Sequence, residues 1–282
     1  MAINNVGVIG AGTMGNGIAQ VCALKGLAVV MVDINEAAVQ KGIATIAGSL
    51  DRLMKKGTLS STDKDAALAR VRGTTQLADL KDQDVAIEAA TENAEIKIKM
   101  LRELDVILNP NAIIATNTSS ISITKLAAAT KRGEKFIGMH FFNPVPLMAL
   151  VELISGLQTT EATRAAVEDL AKRLGKTPIN VKNRPGFVVN RVLVPMINEA
   201  VFALQEGLAT AKEIDDGMKL GCNHPLGPLA LADLIGLDTV LSVMNVFYEG
   251  FNDPKYRPAP LLKEMVDAGF LGRKAKRGFY TY

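Results

Sequence analysis

The side chains best suited to chemistry lie in the stretch 139–153, MHFFNPVPLMALVEL, which holds His140 and Glu152. His140 is one of only two histidines in the chain. Two apolar runs, 139–142 and 148–154, flank Asn143-Pro144-Val145-Pro146. The prolines cannot donate to a sheet ladder and force the chain to turn. Two short strands joined by such a turn can run side by side and bring the imidazole to the carboxylate. A carboxylate that accepts a proton from one ring nitrogen fixes the tautomer and raises the basicity of the other. A general base needs that arrangement near neutral pH. A single histidine beside Phe141 is more often a satisfied core residue, and this stretch alone leaves both readings open.

A second constellation stands at the start of the chain. An apolar run over 5–9 leads into Gly10-Ala11-Gly12-Thr13-Met14-Gly15, then a helical pattern to Lys25, a second apolar run over 28–32, and Asp33. A lone Gly-x-Gly-x-x-Gly is weak, but inside strand, turn, helix, strand and acid it reads as a dinucleotide site. Gly10 allows the tight turn, Gly12 lets backbone approach a pyrophosphate, and Gly15 lets helix pack on strand. The helix N-terminus, at Thr13 and Met14, offers N–H groups and partial positive charge to phosphate. Asp33 can accept from both ribose hydroxyls and repels a 2′-phosphate, and Ile34 and Asn35 supply no arginine. NAD is therefore favoured over NADP.

Further polar groups collect after later strand patterns. Glu92 follows a strand over 84–89, with Glu88 near its end, and Asn117-Thr118-Ser119-Ser120 follows one over 112–116. In an open α/β sheet ligands bind beyond the carboxyl ends of the strands, where Glu92, Asn117 and Ser119 would project. The competing reading of residues 117–120 is a turn and cap for a helix over 121–129. Arg52, Lys55 and Lys56 form a basic cluster late in a helix over 37–56, which suits a solvated helix C-terminus or a phosphorylated ligand.

These residues need a scaffold, and the periodicity supplies one. Strand and helix patterns alternate, with helices over 37–56 and 63–71 among them, as far as a strand over 178–181, as expected of an α/β, Rossmann-like doubly wound sheet. After Asn183-Arg184-Pro185-Gly186 the pattern is helical: 187–205, 211–220, a long helix over 227–247, and 260–268. The domains are thus 1–184 and an all-α 185–282.

With 282 residues and a net charge of +3, the chain gives no sign of a nucleic-acid partner. No apolar run reaches the roughly 18–20 residues of a membrane span. Its N-terminus enters a strand pattern at once, without room for a secretory signal. Cys22 and Cys222 have no metal-ligand spacing and suit a reducing cytoplasm.

Taken together, the chain resembles the 3-hydroxyacyl-CoA dehydrogenase family over essentially its whole length. The likeness rests on Gly10 to Gly15 with Asp33, Glu92-Asn93 ahead of Lys97, Asn117-Thr118-Ser119-Ser120, His140-Phe141-Phe142-Asn143-Pro144 and Glu152. It continues through Arg184-Pro185-Gly186-Phe187, Asn190-Arg191, Gly272-Arg273-Lys274 and Gly278-Phe279-Tyr280. The resemblance implies that His140 is the general base, oriented by Glu152, with Ser119 and Asn190 holding the substrate oxygens. It implies NAD contacts at Asp33, Glu92, Lys97, Asn117, Asn143 and Lys274, and acyl-CoA contacts at Ser49 and Lys56. It further implies a short acyl-CoA thioester such as acetoacetyl-CoA as substrate, and a homodimer. The alternatives are another two-domain β-hydroxyacid dehydrogenase acting on a free acid, and a non-enzymatic, NAD-binding relative of the crystallin kind.

Overall fold

The computed structural model describes residues 3–282. The chain divides into two compact units, one ending at Asn183 and one from Arg184 to Tyr282.

The first unit alternates strands and helices: β1 (Asn5–Ile9), α1 (Thr13–Leu24), β2 (Ala28–Val32), α2 (Glu36–Lys55), α3 (Ser61–Ala69), β3 (Val71–Thr74) and β4 (Val85–Glu88). It continues with α4 (Ala94–Ile107), β5 (Ile113–Thr116), α5 (Ile123–Ala127), β6 (Phe136–Phe141), β7 (Leu150–Ser155), α6 (Glu161–Arg173) and β8 (Thr177–Lys182). The eight strands form one sheet in the order β3-β2-β1-β4-β5-β6-β7-β8. Neighbours are parallel except β6 and β7, which are antiparallel. Strands β4, β5 and β6 are buried at every position, which is why they read as largely apolar runs rather than alternating ones, with Glu88, Thr116 and His140 as buried polar positions near their ends.

The strand order reverses between β1 and β4, and the carboxyl ends there form the crevice typical of ligand sites in this architecture. Local chemistry starts the flanking helices. Asn35 caps α2 by accepting from Ala38 N–H, and Asn93 caps α4 by accepting from Glu95 and Ile96. Helix α1 begins after Gly12 with no side-chain cap.

Two sequence readings need correction. The pattern over 63–71 suggested one helix, yet Val71 begins strand β3, whose VRGT sequence lacks the apolar run that marks the other strands. The long helix over 227–247 is two helices, α9 (Pro228–Ile235) and α10 (Leu237–Phe251), meeting at 98°. Gly236 breaks them apart with φ of 102°, a conformation that L side chains rarely adopt. The second unit also holds α7 (Val189–Gln205), α8 (Ala211–Cys222) and α11 (Pro260–Asp267). Its own core gathers Ile197, Val201, Leu237, Met244, Phe247 and Leu262. No single described helix is long and apolar enough to cross a membrane.

Candidate active site

The antiparallel register of β6 and β7 places His140 directly opposite Glu152. Directly paired residues project from the same face of a sheet, so the two side chains meet, with His140 Nδ1 2.7 Å from Glu152 Oε2. Both are buried, Glu152 completely. The ring of Phe142 lies against the imidazole at 4.6 Å between centroids. A carboxylate on Nδ1 selects the tautomer that carries its lone pair on Nε2, the state a proton acceptor requires. The turn between the strands is held by Lys176, whose Nζ donates to the carbonyls of Val145 (2.5 Å) and Met148 (2.7 Å). Burial pushes that ammonium below its ordinary pKa.

The glycine turn after β1 has the shape of a dinucleotide cradle, and its three glycines are there for different reasons. A Cβ on Gly15 would sit 1.7 Å from the Gly10 carbonyl oxygen, and one on Gly10 would lie 2.7 Å from that of Ala89. Protein packing alone therefore demands these two. A Cβ on Gly12 would meet nothing within 4 Å, so the space over the α1 N-terminus is left for a ligand to approach. Asp33 closes the far side. Its Oδ2 accepts from Ala11 N–H at 2.6 Å, and it lines a cavity of about 360 Å³ with Gly12, Thr13, Lys41 and Thr45. The donor set and the open glycine fit NAD. The sequence reading missed Lys41 and Thr45, which come from α2 and reach the cavity only through the packing of α2 beside the glycine turn.

Glu92 is the hub of the loops after β4 and β5. Its Oε1 accepts from Thr118 Oγ1 (2.7 Å), Ser119 N–H (2.9 Å), Ser119 Oγ (3.2 Å), Ser120 N–H (3.0 Å) and Ser120 Oγ (2.7 Å). Burial opposes its ionisation, but the Thr118 hydrogen bond, the Lys97 charge and the serine donors outweigh it and hold the carboxyl below its ordinary range. Asn117 Oδ1 accepts from Phe141 N–H at 2.8 Å, tying the end of β5 to the strand that carries His140. Residues 117–120 are not the cap of the following helix. Ser122 is, accepting from Lys125 N–H.

Lys97 is fully buried. Its Nζ lies 2.5 Å from Glu88 Oε2, 2.7 Å from Glu88 Oε1 and 3.8 Å from Glu92 Oε2. Glu88 also accepts from Thr116 Oγ1 and Ala90 N–H. The sequence reading noticed Glu88 only as the end of a strand. Its signal was an acid closing a buried strand with a lysine nine residues on.

Ser49, Lys56 and Asn143 line a second cavity, of about 310 Å³, together with Gln20 and Arg52. Thr13, Asn16 and Thr45 border both cavities, so the two adjoin. Of the basic cluster, Arg52 and Lys56 face this cavity and Lys55 is not among its lining residues. The other expected site residues belong to the second unit. Asn190 stands in the first turn of α7. Lys274 Nζ lies 2.5 Å from Asp238 Oδ1, beside the break at Gly236. Among the described residues no group of three or more His, Cys, Asp or Glu could hold a metal ion.

Residues 5–184 match the family profile "3-hydroxyacyl-CoA dehydrogenase, NAD binding domain", and residues 186–282 match "3-hydroxyacyl-CoA dehydrogenase, C-terminal domain". The chain is 54% identical over 280 residues to a 3-hydroxybutyryl-CoA dehydrogenase of Bradyrhizobium diazoefficiens, covering 99% of this chain and 96% of that one. It is 51% identical to a 3-hydroxybutyryl-CoA dehydrogenase of Clostridioides difficile, covering 98% of each. Among solved structures, it is similar to the (S)-3-hydroxybutyryl-CoA dehydrogenase of Ralstonia eutropha, with a TM-score of 0.98 and 68% identity over 100% of this chain and 99% of that one.

Proposed function

Because this chain belongs to the 3-hydroxyacyl-CoA dehydrogenase family, we propose that it is an NAD-dependent (S)-3-hydroxyacyl-CoA dehydrogenase interconverting 3-hydroxybutyryl-CoA and acetoacetyl-CoA. The observation that carries this reading is the 2.7 Å contact between His140 Nδ1 and Glu152 Oε2, built on the same sheet as a dinucleotide cradle. When bound, NAD supplies the hydride acceptor and NADH the donor. His140 takes the proton of the 3-hydroxyl in oxidation and returns one to the forming alkoxide in reduction. Glu152 keeps the ring oriented and stabilises the imidazolium. Ser119 and Asn190 are assigned to the substrate oxygens, which fixes C3 for transfer. Gly12, Thr13 and Met14 at the α1 N-terminus serve the pyrophosphate, and Asp33 serves the adenosine ribose. Glu92, Lys97, Asn117, Asn143 and Lys274 are assigned to the cofactor on the family likeness. Ser49 and Lys56 are assigned to the CoA moiety, and their shared cavity supports that.

We place the activity in short-chain acyl metabolism, of the butanoate and fatty-acid kind. We assign the protein to the cytoplasm, a reading supported by its two free cysteines. We also assign a homodimer, supported by apolar residues left exposed on the second unit, among them Val192, Leu208 and Leu220.

The test follows NADH oxidation with acetoacetyl-CoA for the wild type and His140→Ala, with NADH binding measured for both. The expected result is a loss of about 10²–10⁴-fold in turnover at unchanged NADH affinity. Nearly full activity in the variant would make His140 a core residue and overturn the mechanism. A wild type active on free 3-hydroxybutyrate but not on its CoA thioester would move the substrate to the free-acid class. NADH binding without turnover on any acyl-CoA would point to the non-enzymatic alternative.

A further inference from the structure

Helix α1 serves the cofactor cradle with its first turn, and two turns later it presents a different group. Gln20 is 1% exposed, and its Nε2 has no hydrogen-bond partner among the described residues. A buried amide donor left unpaired is costly, and native structures satisfy nearly all of them. Gln20 lines the cavity of about 310 Å³ that also holds Ser49, Arg52 and Lys56. The backbone has been brought close to make this wall. A Cβ on Gly17 would come within 2.9 Å of Val145 Cβ, so α1 packs directly against the turn that follows β6. Arg52 and Lys56 supply cationic groups, Leu53 and Leu147 apolar ones, and Gln20 a buried donor. An acyl-CoA matches this sequence of groups, with phosphates, methylenes and the two amides of its pantetheine arm.

We propose that Gln20 is a specificity-determining residue whose Nε2–H donates to an amide carbonyl of the pantetheine arm in this cavity. The inference rests on the acyl-CoA reading above and adds to it a donor that selects the carrier rather than the acyl group. The bond is neutral and lies away from the reacting carbon, so it acts on binding. Its loss raises KM and leaves kcat nearly unchanged.

The experiment compares acetoacetyl-CoA with S-ethyl thioacetoacetate, which keeps the ketone and the thioester but has no amide. Wild type, Gln20→Leu and Gln20→Met are assayed on both, with NADH affinity recorded for each protein. Both variants keep side-chain bulk and remove the donor. The expected result is a fall of about 5–10-fold in kcat/KM on acetoacetyl-CoA, carried by KM. Activity on the ethyl thioester and NADH affinity should stay within about twofold in at least one variant. Equal losses on both substrates, or no loss on either, would overturn the role of Gln20 and leave the acyl-CoA reading standing. A wild type inactive on both thioesters would remove that reading and the role of Gln20 with it.

Discussion

Lys97 and Glu88 form a fully buried ion pair, with Nζ 2.5 Å from Oε2, at the point where β4 gives way to the loop carrying Glu92. Glu88 further accepts from Thr116 at the end of β5, so the pair joins two strands and one helix beneath the site. Burying two charges is expensive, and removing one partner strands the other. Lys97→Met should therefore cost about 3–5 kcal/mol in urea unfolding. Adding Glu88→Gln to it should recover much of that loss. A single variant as stable as the wild type would show that the pair does not organise this end of the sheet.

Glu92 links acid stability to the loop that carries Ser119. Its folded pKa lies below the ordinary value of 4.5 because hydrogen bonds and Lys97 outweigh burial. The unfolded chain thus binds the proton more readily than the native one. The resulting stability is complete above about pH 4.5 and is lost as pH falls through the folded pKa. Urea midpoints measured against pH should show Glu92→Gln less stable than wild type at neutral pH, with the gap closing under acid. A gap that stays constant with pH would contradict this assignment.

Asp33 and Lys41 share the cavity beside the glycine turn, which makes cofactor choice a balance of two charges. Replacing Asp33 with serine removes the group that repels a 2′-phosphate and leaves Lys41 to receive one. The ratio of kcat/KM for NADPH over NADH should rise by about tenfold or more. The double variant with Lys41→Ala should lose most of that gain. Should the double variant keep it, Lys41 has no part in the selectivity.

The two cysteines should react very differently. Cys22 is completely buried in α1, and burial pushes its thiol up to about 12. Cys222 at the end of α8 is exposed. Since the thiolate is the reactive form, an aromatic disulfide reagent at pH 8 should titrate one thiol per native chain and two after denaturation. Rapid modification of both in the native state would show that α1 opens readily.

Much of the architecture could be read without coordinates, because periodicity and turn chemistry are local. Largely apolar runs announce β1, β2 and β4 to β6. Gly10 to Gly15 marked the cofactor turn, and the helical pattern after Arg184 marked the second unit. The prolines between His140 and Glu152 indicated that their strands fold back. Where local signals were weak the reading failed, at the polar strand β3 and at Gly236, whose positive φ cannot be inferred from a glycine within an apolar pattern. Tertiary structure alone decided the rest. The register that sets His140 opposite Glu152 depends on pairing between strands, and a slip of one residue would turn the side chains to opposite faces. Glu92 on Thr118 and Ser120, and Asn117 on Phe141, are contacts between elements distant in sequence, as is the cavity that Gln20 of α1 shares with Ser49 and Lys56, and spacing along a chain carries no measure of which distant faces will pack together.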